Sequence, residues 1–170
     1  MKSKYWTLVL IFVASLACSH GTADNHLQIM VVDDRIKMNI VVDMRVLAMA
    51  DADKDGYASL MELAEQSQDI KDWLRYSIDV TDDLGNAGQV VFSDITSDLN
   101  IARANGDRVD HARILQFVEF SEALTGLTVD LSQLARVVPE LRVTIIDAAS
   151  GKRYKLPDPR DILTIRLSGN

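Results

Sequence analysis

A single cysteine in 170 residues excludes an intramolecular disulfide, so the fold must rest on its apolar core and on any metal it holds. Basic charge is scarce as well: 18 Lys and Arg against 25 Asp and Glu leave a net charge of −7. Nucleic acid and anionic lipid surfaces favour basic patches, so neither is an expected partner. No G-x-S-x-G or H-E-x-x-H occurs, and Asp110-His111 has no serine or cysteine motif beside it. Glu119 and Glu122 lie near apolar residues, with nothing in their spacing that defines a catalytic carboxylate pair. An enzymatic reading therefore has no residues to rest on. After residue 17 no apolar run is long enough to span a bilayer, which takes about 20 residues.

What is present begins at the N-terminus. Lys2 and Lys4 precede an uncharged, mostly apolar run from Tyr5 to Ala17 that closes on Ser15-Leu16-Ala17. A basic start, a short apolar stretch and small residues at its end have the layout of a secretory signal, assigned here to residues 1–17. The expected location is thus outside the cytoplasm, periplasmic or in the cell envelope. Cys18 admits two readings. Ser15-Leu16-Ala17-Cys18 resembles a bacterial lipoprotein cleavage box, which would lipidate Cys18 and anchor the chain, although Ser15 stands where leucine is usual. Alternatively Gly21-Thr22-Ala23 directs a later cut before Asp24, and Cys18 is discarded with the signal. Loss of residues 1–17 removes two lysines and no acid, taking the net charge from −7 to −9.

From residue 27 the pattern is that of strands. Leu27, Ile29 and Val31 alternate with Gln28, Met30 and Val32; Asp33-Asp34 reads as a turn, and Ile36, Met38, Ile40 and Val42 continue the alternation. The period then changes. Asp43 caps a predicted short helix carrying Val46, Leu47, Met49 and Ala50, and a longer helix over 60–78 follows from Leu60, Leu63, Ile70, Trp73 and Leu74. Trp73 belongs to the apolar face of that helix, a core position. Short strand candidates return at 89–92, 99–104, 109–120, 141–146 and 162–167. Asn105-Gly106-Asp107 suggests a hairpin turn within them. The expectation is one α+β domain over residues 18–170: an antiparallel β-sandwich-like domain with an inserted helix-loop-helix at about 43–78.

Between the two predicted helices lies DADKDGYASLME, Asp51 to Glu62. Calcium takes six to eight oxygen ligands, and an EF-hand loop supplies them from positions 1, 3, 5, 7, 9 and 12, with glycine at 6 for the sharp turn. In this sequence those positions are Asp51, Asp53, Asp55, Tyr57 (through its carbonyl), Ser59 and Glu62, with Gly56 at the turn; the D-x-D-x-D-G-x5-E pattern is complete. Magnesium fits less well, since it wants a smaller octahedral shell and Glu62 can offer two oxygens. Position 8, normally a bulky aliphatic residue that pairs with a second loop, is Ala58. Asp79, Thr81 and Asp83 imitate a second loop briefly, but Leu84 and Val90 stand where glycine and glutamate are needed. A solitary loop is expected to act as a structural clamp with an affinity on the order of 10⁻⁴–10⁻³ M, rather than as a sensor. His20, His26 and His111 are scattered; His20 and His26 could take a transition metal but bring no further ligands.

The order of these features resembles the extracytoplasmic domain of HupE/UreJ-like bacterial membrane proteins. The likeness is carried by Leu27 to Val42, by Val46-Leu47-Ala48-Met49-Ala50-Asp51-Ala52-Asp53-Lys54-Asp55-Gly56 and by Glu62-Leu63. It is strongest over residues 24–80 and continues by strand pattern to 167. In that family a membrane bundle follows, and this sequence has no counterpart of it, so transport is not implied. What the resemblance implies is a calcium-binding sandwich module standing alone. The alternative expectation, from a different class, is an accessory or interaction subunit with an envelope protein partner in a metal-related membrane assembly, calcium being structural there.

Overall fold

The computed structural model describes residues 25–97 and 99–167. The expected signal at 1–17, Cys18, His20 and the alternative expected cleavage position before Asp24 lie outside the described residues. Strands β1 (His26–Val32) and β2 (Arg35–Asp43) form the hairpin that the alternation predicts, turning through Asp33 at a φ of 52°. Leu27, Ile29 and Val31 are buried with Ile36, Met38, Ile40 and Val42, while Gln28, Met30, Lys37 and Asn39 take the other face.

Beyond β2 the predicted short helix is replaced by two 3₁₀ turns, Met44–Val46 and Ala48–Ala50. The buried residues explain this: Met44, Leu47 and Ala50 recur at every third position, the 3₁₀ period, and all three lie in the core. Asp43 does cap the first turn, its carboxylate accepting the Arg45 N–H at 3.0 Å. The predicted helix over 60–78 is present in two pieces, α1 (Leu60–Glu65) and α2 (Ser67–Ser77), divided at Gln66. Bonds from Gln66 N–H to Glu62 C=O and from Ile70 N–H to Gln66 C=O bracket the break.

The remaining elements are β3 (Asp79–Asp82), β4 (Gln89–Ser97), α3 (Leu99–Ala104), β5 (His111–Glu119), β6 (Gly126–Asp130), α4 (Ser132–Val137), β7 (Arg142–Asp147), β8 (Arg153–Leu156) and β9 (Leu163–Arg166). The stretch 99–104 is a helix and not the expected strand. Asn105 and Gly106 donate back to Ala102 and Arg103, and Gly106 and Asp107 take φ values of 71° and 64°. Asn-Gly-Asp therefore ends a helix here instead of turning a hairpin, since both uses need left-handed backbone.

Six strands form one sheet in the order β4-β5-β2-β1-β7-β8, and three form a second in the order β3-β6-β9. All pairings are antiparallel except β1 with β7. The expectation of a purely antiparallel arrangement is corrected at that pair, for which the long chain excursion from β1 to β7 supplies the crossover. The class is α+β and sheet-rich. Leu27, Ile29, Ile114 and Ile145 of the larger sheet share one apolar core with Leu127, Val129 and Ile165 of the smaller. Ile70 and Leu74 of α2 and Leu134 of α4 close it, and Trp73 packs half-buried against it. No helix among the described residues is long and apolar enough to cross a membrane.

Candidate metal centre

The acidic loop runs from the second 3₁₀ turn into the first turn of α1, whose third residue is Glu62. Its shape follows from short acidic side chains accepting bonds from their own backbone. The Asp51 carboxylate takes the N–H of Asp55 at 3.1 Å on Oδ1 and the N–H of Gly56 at 2.9 Å on Oδ2. Asp53 Oδ1 accepts from Asp55 N–H at 3.1 Å, and Asp55 Oδ1 accepts from Tyr57 N–H at 3.0 Å. Two residues turn the chain through left-handed backbone, Lys54 at φ 62° and Gly56 at φ 92°. Gly56 is the residue type that adopts this without penalty.

The turns bring Asp51, Asp53 and Asp55 together, with one carboxylate oxygen of each within 4.8 Å of the others. Asp51 is half-buried; Asp53 and Asp55 are exposed. Asp53 Oδ2 and Asp55 Oδ2 accept no hydrogen bond from the described residues, and none of the ion pairs among those residues involves the loop.

Glu62 is not part of that three-carboxylate group. Its Oε1 accepts the N–H of Ala52 at 2.9 Å and of Asp53 at 3.2 Å, and its Oε2 accepts the N–H of Ser59 at 2.8 Å. Ser59 Oγ in return accepts the Glu62 N–H at 3.1 Å, completing a capping box that starts α1. The Ser59 amide, with the other amides behind it, holds the Glu62 carboxyl below its ordinary value. Glu62 thus ties the far end of the loop to its beginning. Tyr57 is 40% exposed, and its ring carries the Arg108 guanidinium at 3.6 Å from the centroid.

Position 8 is paired after all, though not with a second acidic loop. The Val109 N–H donates to the Ala58 carbonyl at 2.7 Å, and the Leu60 N–H donates to the Asp107 carbonyl at 2.9 Å, with Ser59 opposite Arg108. The sequence shows no partner for Ala58 because the contact comes from the turn between α3 and β5, about 50 residues away. Asp79, Thr81 and Asp83 form no loop of this kind: Asp79 to Asp82 are strand, and Asp82 caps the turn at Leu84 and Asn86.

The other candidates do not converge. His26 opens β1 and His111 opens β5. Glu119 is paired with Arg35 at 3.0 Å, and Glu122 is exposed. Two grooves of about 270 and 400 Å³ lie against the larger sheet, the second between α1, α2 and β4; neither is lined by Asp51, Asp53, Asp55 or Glu62. No family model matches the sequence, and no curated protein matches it either.

Proposed function

We propose that this chain is an exported calcium-binding protein with one EF-hand-type loop, in which the ion stabilises the fold and takes no part in catalysis. The observation that carries this reading is the convergence of Asp51, Asp53 and Asp55 on an exposed turn without a cationic partner among the described residues. Carboxylates so placed repel one another, and a hard divalent cation relieves that repulsion by sharing their oxygens. Asp51, Asp53 and Asp55 would hold the ion through side chains and Tyr57 through its carbonyl. Ser59 would act directly or through water, and Glu62 through its carboxylate. Every donor is oxygen, which suits calcium and disfavours the softer transition metals. We read the two sheets as a sandwich-like pair and residues 43–78 as the insertion that carries the loop. The basic, apolar and small-residue order of residues 1–17 supports export, and an extracytoplasmic setting suits a loop of modest affinity.

The test is thermal unfolding with calcium and with chelator at fixed ionic strength. An ion that binds only the folded chain stabilises it by mass action, by about 2.7 kcal/mol at a hundred times its Kd. For a chain of this size that raises the melting temperature by about 5–10 °C. Superimposable curves in calcium and chelator would overturn the reading.

A further inference from the structure

The turn between α3 and β5 grips the acidic loop on both sides. On the outgoing side it makes the bridge at Ala58 and Leu60, through bonds of 2.7 and 2.9 Å. On the incoming side the Met44 N–H donates to the Asp110 carbonyl at 2.9 Å, and Asp43 lies opposite His111 in the β2–β5 register. Arg108 adds its stack on the Tyr57 ring. Ala58 and Val109 are each 4% exposed, so the bridge is buried at that end, while Asp107 and Arg108 at the other end are exposed. The turn's own backbone is fixed by left-handed residues at Gly106 and Asp107.

We propose that Asp107–Asp110 is the template on which the calcium loop closes, standing where a paired loop would otherwise be, so that ion binding is coupled through it to β5. This inference rests on the calcium reading above. The coupling has a physical route. Tyr57, Ala58 and Ser59 follow the three aspartates after only Gly56, and two of the loop's proposed donors, Tyr57 and Ser59, flank the bridged Ala58. Ordering those donors around an ion orders the bridge, and Val109 is two residues from the start of β5. Because coupling between two sites is reciprocal, a weakened template must also weaken calcium binding. Arg108 and Val109 act here as positioning residues and touch no ion.

Amide hydrogen exchange followed by NMR, with calcium chloride as the probe and chelator as the reference, tests this. Gly56 N–H, bonded to Asp51, reports on the loop itself; Leu60 and Val109 N–H report on the bridge. All three amides are expected to exchange at least about tenfold more slowly in calcium. Slowing at Gly56 with no change at Leu60 and Val109 would overturn the template while leaving the calcium reading intact. No change at any of the three, with no heat of calcium binding, would overturn the calcium reading itself. As a second measurement, Arg108→Ala is expected to lower calcium affinity by about fivefold while leaving the melting temperature in chelator within a few degrees of the parent. Unchanged affinity in that variant would count against the template. Val109→Pro, which deletes the bridging donor, is expected to lose more affinity than Arg108→Ala wherever it folds.

Discussion

Glu62 acts on the loop from both ends, and its chemistry sets what single substitutions should do. It is the one residue of the loop that offers two anionic oxygens at position 12, whereas Ser59 offers at most one neutral oxygen. Glu62→Gln is therefore expected to weaken calcium binding at least tenfold and Ser59→Ala only a fewfold, as read by calorimetric titration of both variants. Comparable affinities would contradict this. The same carboxylate also supports the fold without an ion, through the amides of Ser59, Asp53 and Ala52. Because those amides depress its folded value, its contribution is complete above the ordinary value of 4.5 and is lost as pH falls through the lower folded value. In chelator, melting temperature should accordingly fall more steeply with acidification in the parent than in Glu62→Gln. Parallel pH profiles would show that the three amide bonds contribute nothing to stability. The approach of Asp51, Asp53 and Asp55 was legible in the sequence because their spacing falls within a single twelve-residue pattern. The Arg108–Tyr57 stack was not, because no local pattern reports a contact across about 50 residues.

Elements differ in how much of themselves they write into the chain. β1 and β2 are legible because one face is buried and the other is not, so burial alternates with period two. The stretch before the loop reads as helix, but its buried residues at 44, 47 and 50 fit a 3₁₀ period, and three positions are too few to separate 3.0 from 3.6. Residues 99–104 show the limit of short apolar runs, which fit strand and helix equally until the neighbouring turn decides. The parallel pairing of β1 with β7 could not be read locally at all, since nothing within either strand names its partner. The connection into β4 carries a constraint that only packing reveals. A Cβ at Gly88 would stand 2.3 Å from Val118 Cγ1 and 2.7 Å from Phe120 Cζ, so the chain crosses β5 at a distance only glycine permits. Val118 is β-branched and buried and cannot swing aside. Gly88→Ala should cost about 1–3 kcal/mol, read as a lowered urea midpoint, although the position needs no left-handed backbone. A midpoint equal to the parent's would mean that β4 shifts freely on β5.

At the scale of the whole molecule the question is whether the loop region could melt by itself. Met44, Leu47, Ala50, Ala58 and Leu63, which flank or belong to the loop, are buried in the same core as Ile29 and Ile114 of the large sheet and Val129 of the small one. Their removal from water is worth about 25 cal/mol per Å² of apolar surface, and that contribution exists only while the sheets stand beneath them. The Met44 and Leu60 N–H groups donate to the Asp110 and Asp107 carbonyls and the Ala58 carbonyl accepts from the Val109 N–H, so all three bonds tie the region to residues 107–110. A region so shared has no boundary along which to unfold locally, in contrast to an acidic loop hung on an exposed connection. Calcium bound at the loop would therefore stabilise the entire chain. Thermal unfolding followed by far-ultraviolet and near-ultraviolet circular dichroism should show one transition, coincident in both signals, that chelator moves as a unit. A separate low-temperature step sensitive to calcium, followed by a sheet transition that chelator leaves in place, would show the loop and its flanking helices to be an independent unit. Such a result would confine the ion's effect to residues 43–78, and coupling to β5 would then have no route.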